Sequence, residues 1–170
     1  MKQLSVLALV FASAAVFAQT AKPMGLSARA GFFFPTAQRA KQAGKTWFGF
    51  GVDYKLGDLK FASETGQAAS YGISVDFTSK NDFRQTPIVG YYRASLQDNI
   101  YYVVGAGLNF TQELSGGSTP SRDNKTGIAY QVGLGMDLKG QSLPLFIEAK
   151  YMGSSRSKLN GLGFFGGIRF

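Results

Sequence analysis

The sequence predicts an all-β protein, an eight-stranded antiparallel up-and-down transmembrane β-barrel. Three observations predict it. Segments of roughly ten residues alternate large apolar residues with small or charged ones, which is the period of a β-strand. The small faces are rich in glycine, alanine and serine, which suits a crowded barrel interior better than a face turned to water. The first residues read as an export leader.

The strands follow in order. "MGLSARAGFFF" (24–34) places Leu26, Ala28, Ala30, Phe32 and Phe34 opposite Ser27, Arg29 and Gly31. "KTWFGFGVDYKL" (45–56) places Phe48, Phe50, Val52, Tyr54 and Leu56 opposite Trp47, Gly49, Gly51, Asp53 and Lys55. "SYGISVDFTS" (70–79) sets Tyr71, Ile73, Val75 and Phe77 against Gly72, Ser74, Asp76 and Thr78. "RQTPIVGYYRA" (84–94) reads either way, and Pro87 is awkward in an interior strand. "NIYYVVGAGLNFT" (99–111) opposes Ile100, Tyr102, Val104, Ala106, Leu108 and Phe110 to Tyr101, Val103, Gly105, Gly107 and Asn109. "GIAYQVGLGMDLK" (127–139) opposes Ile128, Tyr130, Val132, Leu134, Met136 and Leu138 to Ala129, Gln131, Gly133, Gly135, Asp137 and Lys139. "PLFIEAKYM" (144–152) sets Leu145, Ile147, Ala149 and Tyr151 against Phe146, Glu148 and Lys150. "NGLGFFGGIRF" (160–170) closes the series, with Leu162, Phe164, Ile168 and Phe170 against Gly161, Gly163, Gly167 and Arg169. Such segments match the length of a tilted strand that crosses a bilayer. Longer connections follow strands one, five and seven, and "KNDF" follows strand three; "SLQDN" and "GQS" follow strands four and six. The connection after strand two, "GDLKFASETGQ", is longer than this alternation calls for.

The leader "MKQLSVLALVFASAAVFAQT" has Lys2, an apolar core over 4–17 and small residues before a cut expected after Ala18. The expected division is a signal peptide at 1–18 and an outer-membrane barrel domain at 19–170. An uncleaved N-terminal anchor is the competing reading; the apolar run is too short for it. No later stretch approaches the apolar length of a spanning helix. Cysteine and histidine are absent, which removes disulfides, thiolate metal sites and the commonest general base.

Polarity is the central inference. Small and charged residues pointing inward leave the bulky apolar face outside, where only lipid tolerates it, and closure leaves no unpaired edge. The inward charges nearly balance: Arg29, Lys55, Lys150 and Arg169 against Asp53, Asp76, Asp137 and Glu148. Charges so deep must pair. With the N-terminus in the periplasm, Arg29, Asp53, Lys55, Asp137, Glu148 and Arg169 fall in the periplasmic half, where a salt-bridge plug is expected. A proton or ion path is the competing reading.

These features together resemble the small bacterial outer-membrane β-barrel family, the OmpA/OmpX-like and opacity-type barrels. The resemblance rests on the leader, the eight alternating strands and the final "GGIRF". It implies that Leu162, Phe164, Ile168 and Phe170 form a C-terminal signal read by the barrel-assembly machinery. The chain departs from the OmpA type by stopping at residue 170, so a peptidoglycan-binding domain and a wall-tethering role are not expected. Phe34, Trp47, Tyr54, Phe77, Phe110, Tyr151 and Phe170 are candidates for an aromatic girdle, although aromatics favour strands in any case.

Other motifs carry little. "GLGFFGG" (161–167) lacks the helix a dinucleotide site requires, and "AGKT" (43–46) has Arg39 where a phosphate loop needs glycine. A Ser-His-acid triad is impossible without histidine, and the Ser–Lys pair in "GSSRSK" is more simply a solvated loop. No enzyme and no cofactor are expected. The net charge is +8, or +7 without the leader, and the outer loops sum to +6 of it. A basic loop rim of Arg39, Lys41, Lys45, Arg84, Arg122, Arg156 and Lys158 therefore faces outward, suited to anionic lipid headgroups or simply to solubility. No nucleic-acid module is present. The expected product is a monomeric outer-membrane barrel with a filled lumen that acts through its loops. A narrow-pore transporter and a soluble lipocalin-like carrier of an apolar ligand are the alternatives.

Overall fold

The structure, a computed structural model, describes residues 25–59, 68–114, 122–138, 143–155 and 159–170. Residues 1–18, where a leader and its cleavage site are expected, lie outside them, as do Arg156 and Lys158. Eight strands form one closed antiparallel barrel in sequence order: β1 (Leu26–Pro35), β2 (Trp47–Asp58), β3 (Ala69–Lys80), β4 (Phe83–Ser95), β5 (Ile100–Leu114), β6 (Arg122–Leu138), β7 (Leu145–Ser154) and β8 (Gly161–Arg169). Closure is made by β1 on β8, from Ser27↔Arg169 to Pro35↔Gly161. Both described chain ends meet at one end of the barrel, where the Gly25 N–H donates to the Phe170 carbonyl. We call this the terminal end; the other is the far end. No helix among the described residues is long and apolar enough to cross a membrane.

The alternation of the sequence becomes two surfaces of opposite character. Phe32, Phe50, Val52, Ile73, Leu108, Ile128, Val132, Leu134, Ile147 and Phe164 stand exposed on the outer wall. A continuous apolar wall of this kind is not found on soluble monomers. The bulky rows therefore do not converge on an internal cavity, as a soluble carrier would need.

The strand whose faces the sequence leaves open is resolved here. Gln85, Pro87, Val89 and Tyr91 are buried, whereas Arg84, Ile88 and Gly90 are exposed. Pro87 pairs in register with Asn109 of β5, but the β3–β4 ladder skips from Val75↔Ile88 to Thr78↔Gln85. A proline has no N–H to donate, so the ladder opens beside it.

Three expectations about connections change. The first loop contains a short helix, α1 (Gln38–Ala43), whose Ala40 is buried. β5 and β6 run past the expected strand ends to Leu114 and from Arg122, because the polar residues there continue the pairing, with Glu113 opposite Asp123. The third connection is a tight turn at Asn81 and Asp82, with Asn81 in the left-handed region at φ 54°.

Candidate functional site

The lumen is where charge collects. Arg29 of β1 is paired in register with Gly51 of β2, and Gly51 with Asp76 of β3. Because Gly51 has no side chain, the guanidinium crosses that strand and reaches the carboxylate beyond it. A Cβ on Gly51 would run into Asp76 Oδ1 and the Arg29 guanidinium. Arg29 Nη2 lies 2.7 Å and Nε 3.0 Å from Asp76 Oδ1, while Nη1 lies 2.5 Å from Asp53 Oδ2. Nη2 also donates to Ser74 Oγ at 2.8 Å. From the opposite wall Lys150 of β7 places Nζ 2.7 Å from Asp76 Oδ2, 3.3 Å from Gln131 Oε1 and 3.7 Å from Glu148. Tyr101 donates its hydroxyl to Glu148 at 3.2 Å.

Asp76 is the hub. It is 0% exposed and Lys150 only 1%. Charges at such depth persist only when paired and hydrogen-bonded, and removal of one partner leaves the other uncompensated. Arg29 and Lys150 also lie against the same Phe165 ring, at 5.9 and 5.5 Å from its centroid.

Aromatic and aliphatic side chains pack inside the barrel on the far side of this cluster. Phe33, Trp47, Met152, Leu159 and Phe165 pack together with Ala40 of α1. Trp47 donates Nε1–H to the Gly44 carbonyl at 2.8 Å and lies 5.7 Å from Phe33 and 6.0 Å from Phe83, centroid to centroid. At the terminal end Arg169 meets Asp137 at 2.6 Å.

The predicted residues are therefore distributed as follows. Arg29, Asp53, Asp76, Glu148 and Lys150 come together. Arg169 and Asp137 form a separate pair at the mouth. Lys55 joins neither: its side chain is 41% exposed and bridges to Asp58 at 2.7 Å across the bulge between Lys55 and Gly57, at the terminal end of β2. The grouping also differs from the expected half-barrel plug, since Asp76 and Lys150, which that grouping omitted, are its centre. Barrel stagger explains this: residues far apart along their strands are brought level by tilt. Arg93, on the ambiguous β4, was missed; its Nη2 lies 3.8 Å from Asp53. Counting on by twos from the buried Val89 and Tyr91 is the signal that finds it.

On the outside, Leu162 and Phe164 are exposed and Phe170 is half-buried, whereas Ile168, register-paired with Ala28 and Leu145, is 4% exposed. Among girdle candidates Phe34, Tyr54 and Phe110 are exposed; Phe77, Tyr151 and Phe170 are half-buried. Trp47 does not belong with them, being 0% exposed in the interior cluster. Of the basic rim, Lys41 and Lys45 are exposed, Arg39 lies on α1, Arg122 meets Asp82 at 3.1 Å, and Arg84 sits over the Phe77 ring at 5.5 Å. Among the described residues no group of three or more carboxylates is arranged to hold a metal ion.

A closed eight-stranded barrel with an apolar outer wall and an ionic interior defines an integral outer-membrane barrel protein. The chain belongs to the outer membrane protein β-barrel domain family, whose family model matches residues 4–164. No curated protein matches the sequence. Among solved structures it is similar to the N-terminal β-barrel domain of Pseudomonas aeruginosa OprF, at 14% identity and TM-score 0.61, covering 88% of this chain and 100% of that one. It is also similar to Neisserial surface protein A, at 17% identity and TM-score 0.50, covering 85% and 94% of the two chains. At these identities the likeness speaks to the fold alone.

Proposed function

We propose that this protein is a non-enzymatic, monomeric outer-membrane barrel with a lumen closed to solutes, which acts at the cell surface through its basic loops. The observation that carries the reading is the stack of buried side chains across the lumen, from the Asp76 ion-pair cluster to the Phe33–Trp47–Phe165 packing beside it. An eight-stranded barrel has room for side chains and little else. The chain enters as a precursor whose residues 1–18 are removed, and both ends of the barrel domain lie in the periplasm. The aromatic and aliphatic outer residues of β8, ending at Phe170, serve recognition by the barrel-assembly machinery.

The loops then face outward. Lys41, Lys45, Arg84 and Arg122 form with Arg39, Arg156 and Lys158 a basic rim that holds anionic lipid headgroups, as cations near a membrane surface do. Two measurements test the reading. Reconstituted in planar bilayers, the protein is expected to give no single-channel steps; regular steps that respond to Trp47→Ala would establish a narrow pore instead. Flotation with vesicles that carry anionic lipid is expected to exceed flotation with zwitterionic ones for the detergent-folded protein, and to fall towards the zwitterionic level in a variant with the rim cations changed to glutamine.

A further inference from the structure

The inner wall of the terminal end holds two guanidinium groups whose donors the fold does not use up. Arg93 of β4 and Arg169 of β8 lie against one ring, with their Cζ atoms 4.6 and 5.0 Å from the Tyr101 centroid. Tyr91 adds a second contact to Arg93 at 5.7 Å, and Phe146 to Arg169 at 4.3 Å. Stacking occupies the face of a guanidinium and leaves its in-plane fork of N–H groups available.

Donor accounting then singles out specific atoms. Arg169 Nη1 donates to Asp137 at 2.6 Å. Arg169 Nη2 and Arg93 Nε are buried and meet no hydrogen-bond acceptor among the described residues. The carboxylate nearest Arg93 is Asp53, 3.8 Å away, beyond hydrogen-bond reach, and its Oδ2 is already held by Arg29. A buried charged donor without an acceptor is costly, and native structures rarely leave one so. Both side chains also keep a path to solvent, at 17% and 23% exposure.

We propose that Arg93 and Arg169 bind one oxyanion, a phosphate or carboxylate group, at the terminal mouth of the lumen. The anion supplies the acceptors that Arg93 Nε and Arg169 Nη2 lack. Aromatic contacts hold both forks in place beforehand, so little side-chain freedom is lost on binding. The neighbouring carboxylates do not reach these atoms: Asp137 takes the other nitrogen of Arg169, Glu148 faces Lys150 and the Tyr101 hydroxyl, and Asp53, held by Arg29 through Oδ2 and with Oδ1 unpaired, stands 3.8 Å from Arg93, beyond hydrogen-bond reach. With Asp76 counted, the lumen cations Arg29, Arg93, Lys150 and Arg169 are matched by Asp53, Asp76, Asp137 and Glu148, so affinity comes from local donor geometry rather than from a long-range field.

The test is a titration of the barrel, folded in zwitterionic detergent and labelled with nitrogen-15 on arginine, with sodium phosphate and separately with sodium acetate. Chloride keeps the ionic strength constant. Saturable shifts of the Arg93 and Arg169 side-chain Nε signals are expected, with the buried Arg29 and the outer-wall Arg84 unmoved. Tighter phosphate binding identifies a phosphate group as the ligand, and tighter acetate binding a carboxylate. R93K keeps the charge and the packing stem but removes the fork, and is expected to weaken binding at least tenfold while the heat-modifiable gel shift of the folded barrel is retained. Linear, non-saturating shifts with both anions, or R93K binding as tightly as the parent, would overturn the proposal.

Discussion

Asp76 answers two cations, Arg29 of β1 and, from across the lumen, Lys150 of β7, and it is wholly buried. Removal of its carboxylate leaves Arg29 only Asp53, and Lys150 only Glu148 at 3.7 Å, as counter-ions. Asp76→Ala is therefore expected to cost about 3–5 kcal/mol, the range for breaking a buried ion pair; urea unfolding in lipid vesicles measures it. Replacement of Arg29, Asp53, Asp76, Glu148 and Lys150 together by apolar residues of similar volume is expected to cost less than that single change, because the buried cluster is then removed with its partners rather than broken. Two glycines are as specific as the charges. Gly51 leaves the space in which Arg29 reaches Asp76, and Gly135 leaves the space occupied by the Tyr101 ring. Gly135→Ala is expected to lower stability by about 1–3 kcal/mol through overpacking. Alanine at the outward Gly90, with nothing nearer to a Cβ than 3.9 Å, is expected to leave stability within experimental error in the same assay.

Strands carry the next level. β4 is the one whose periodicity Pro87 obscures, and the same residue interrupts its pairing with β3 next to Asp76. Pro87→Val offers the missing N–H at a buried, inward position. It is expected to raise the unfolding free energy by about 1 kcal/mol for one restored hydrogen bond, read as a higher urea midpoint. A fall in midpoint would mean that the open ladder is required by the packing around Asp76. The β5–β6 hairpin shows a different effect. Polar residues 112 to 125 read as loop, yet most of those described continue the two strands, stabilised by Lys125 bridging to Glu113 at 3.3 Å and to Asp123 at 3.2 Å. Cross-strand backbone pairing, once started in the wall, extends through residues whose side chains give no apolar alternation.

The whole molecule is inside-out, and its environment follows from that. Val132 lies on the exposed outer row of β6, and Thr126 is near the far end of the same row. Val132→Arg is expected to cost about 2–4 kcal/mol in vesicles and Thr126→Arg about 0–1 kcal/mol, the dependence on depth that lipid imposes. Equal costs at the two positions would contradict a hydrocarbon-facing wall. Cysteine probes give an independent reading: positions 132 and 134 are expected to react with a lipid-soluble reagent, and position 133, whose glycine faces Lys150, to be shielded from it.

Strand number, strand polarity and the sorting of nearly every residue to one face follow from the sequence alone, because side chains on a strand alternate strictly and lipid accepts only one of the two faces. Which inward residues meet was decided by the tertiary structure. Tilt and stagger set Arg29, Asp76 and Lys150 level with one another across the lumen, and the bulge after Lys55 carried that residue out of it. Trp47 likewise has the alternation of an inward residue and the chemistry of a girdle residue; only its packing against Phe33, with Ala40 of α1 in the same cluster, shows that it lies inside the barrel. Periodicity along a chain specifies faces, whereas contact between strands depends on shear, which no single strand encodes.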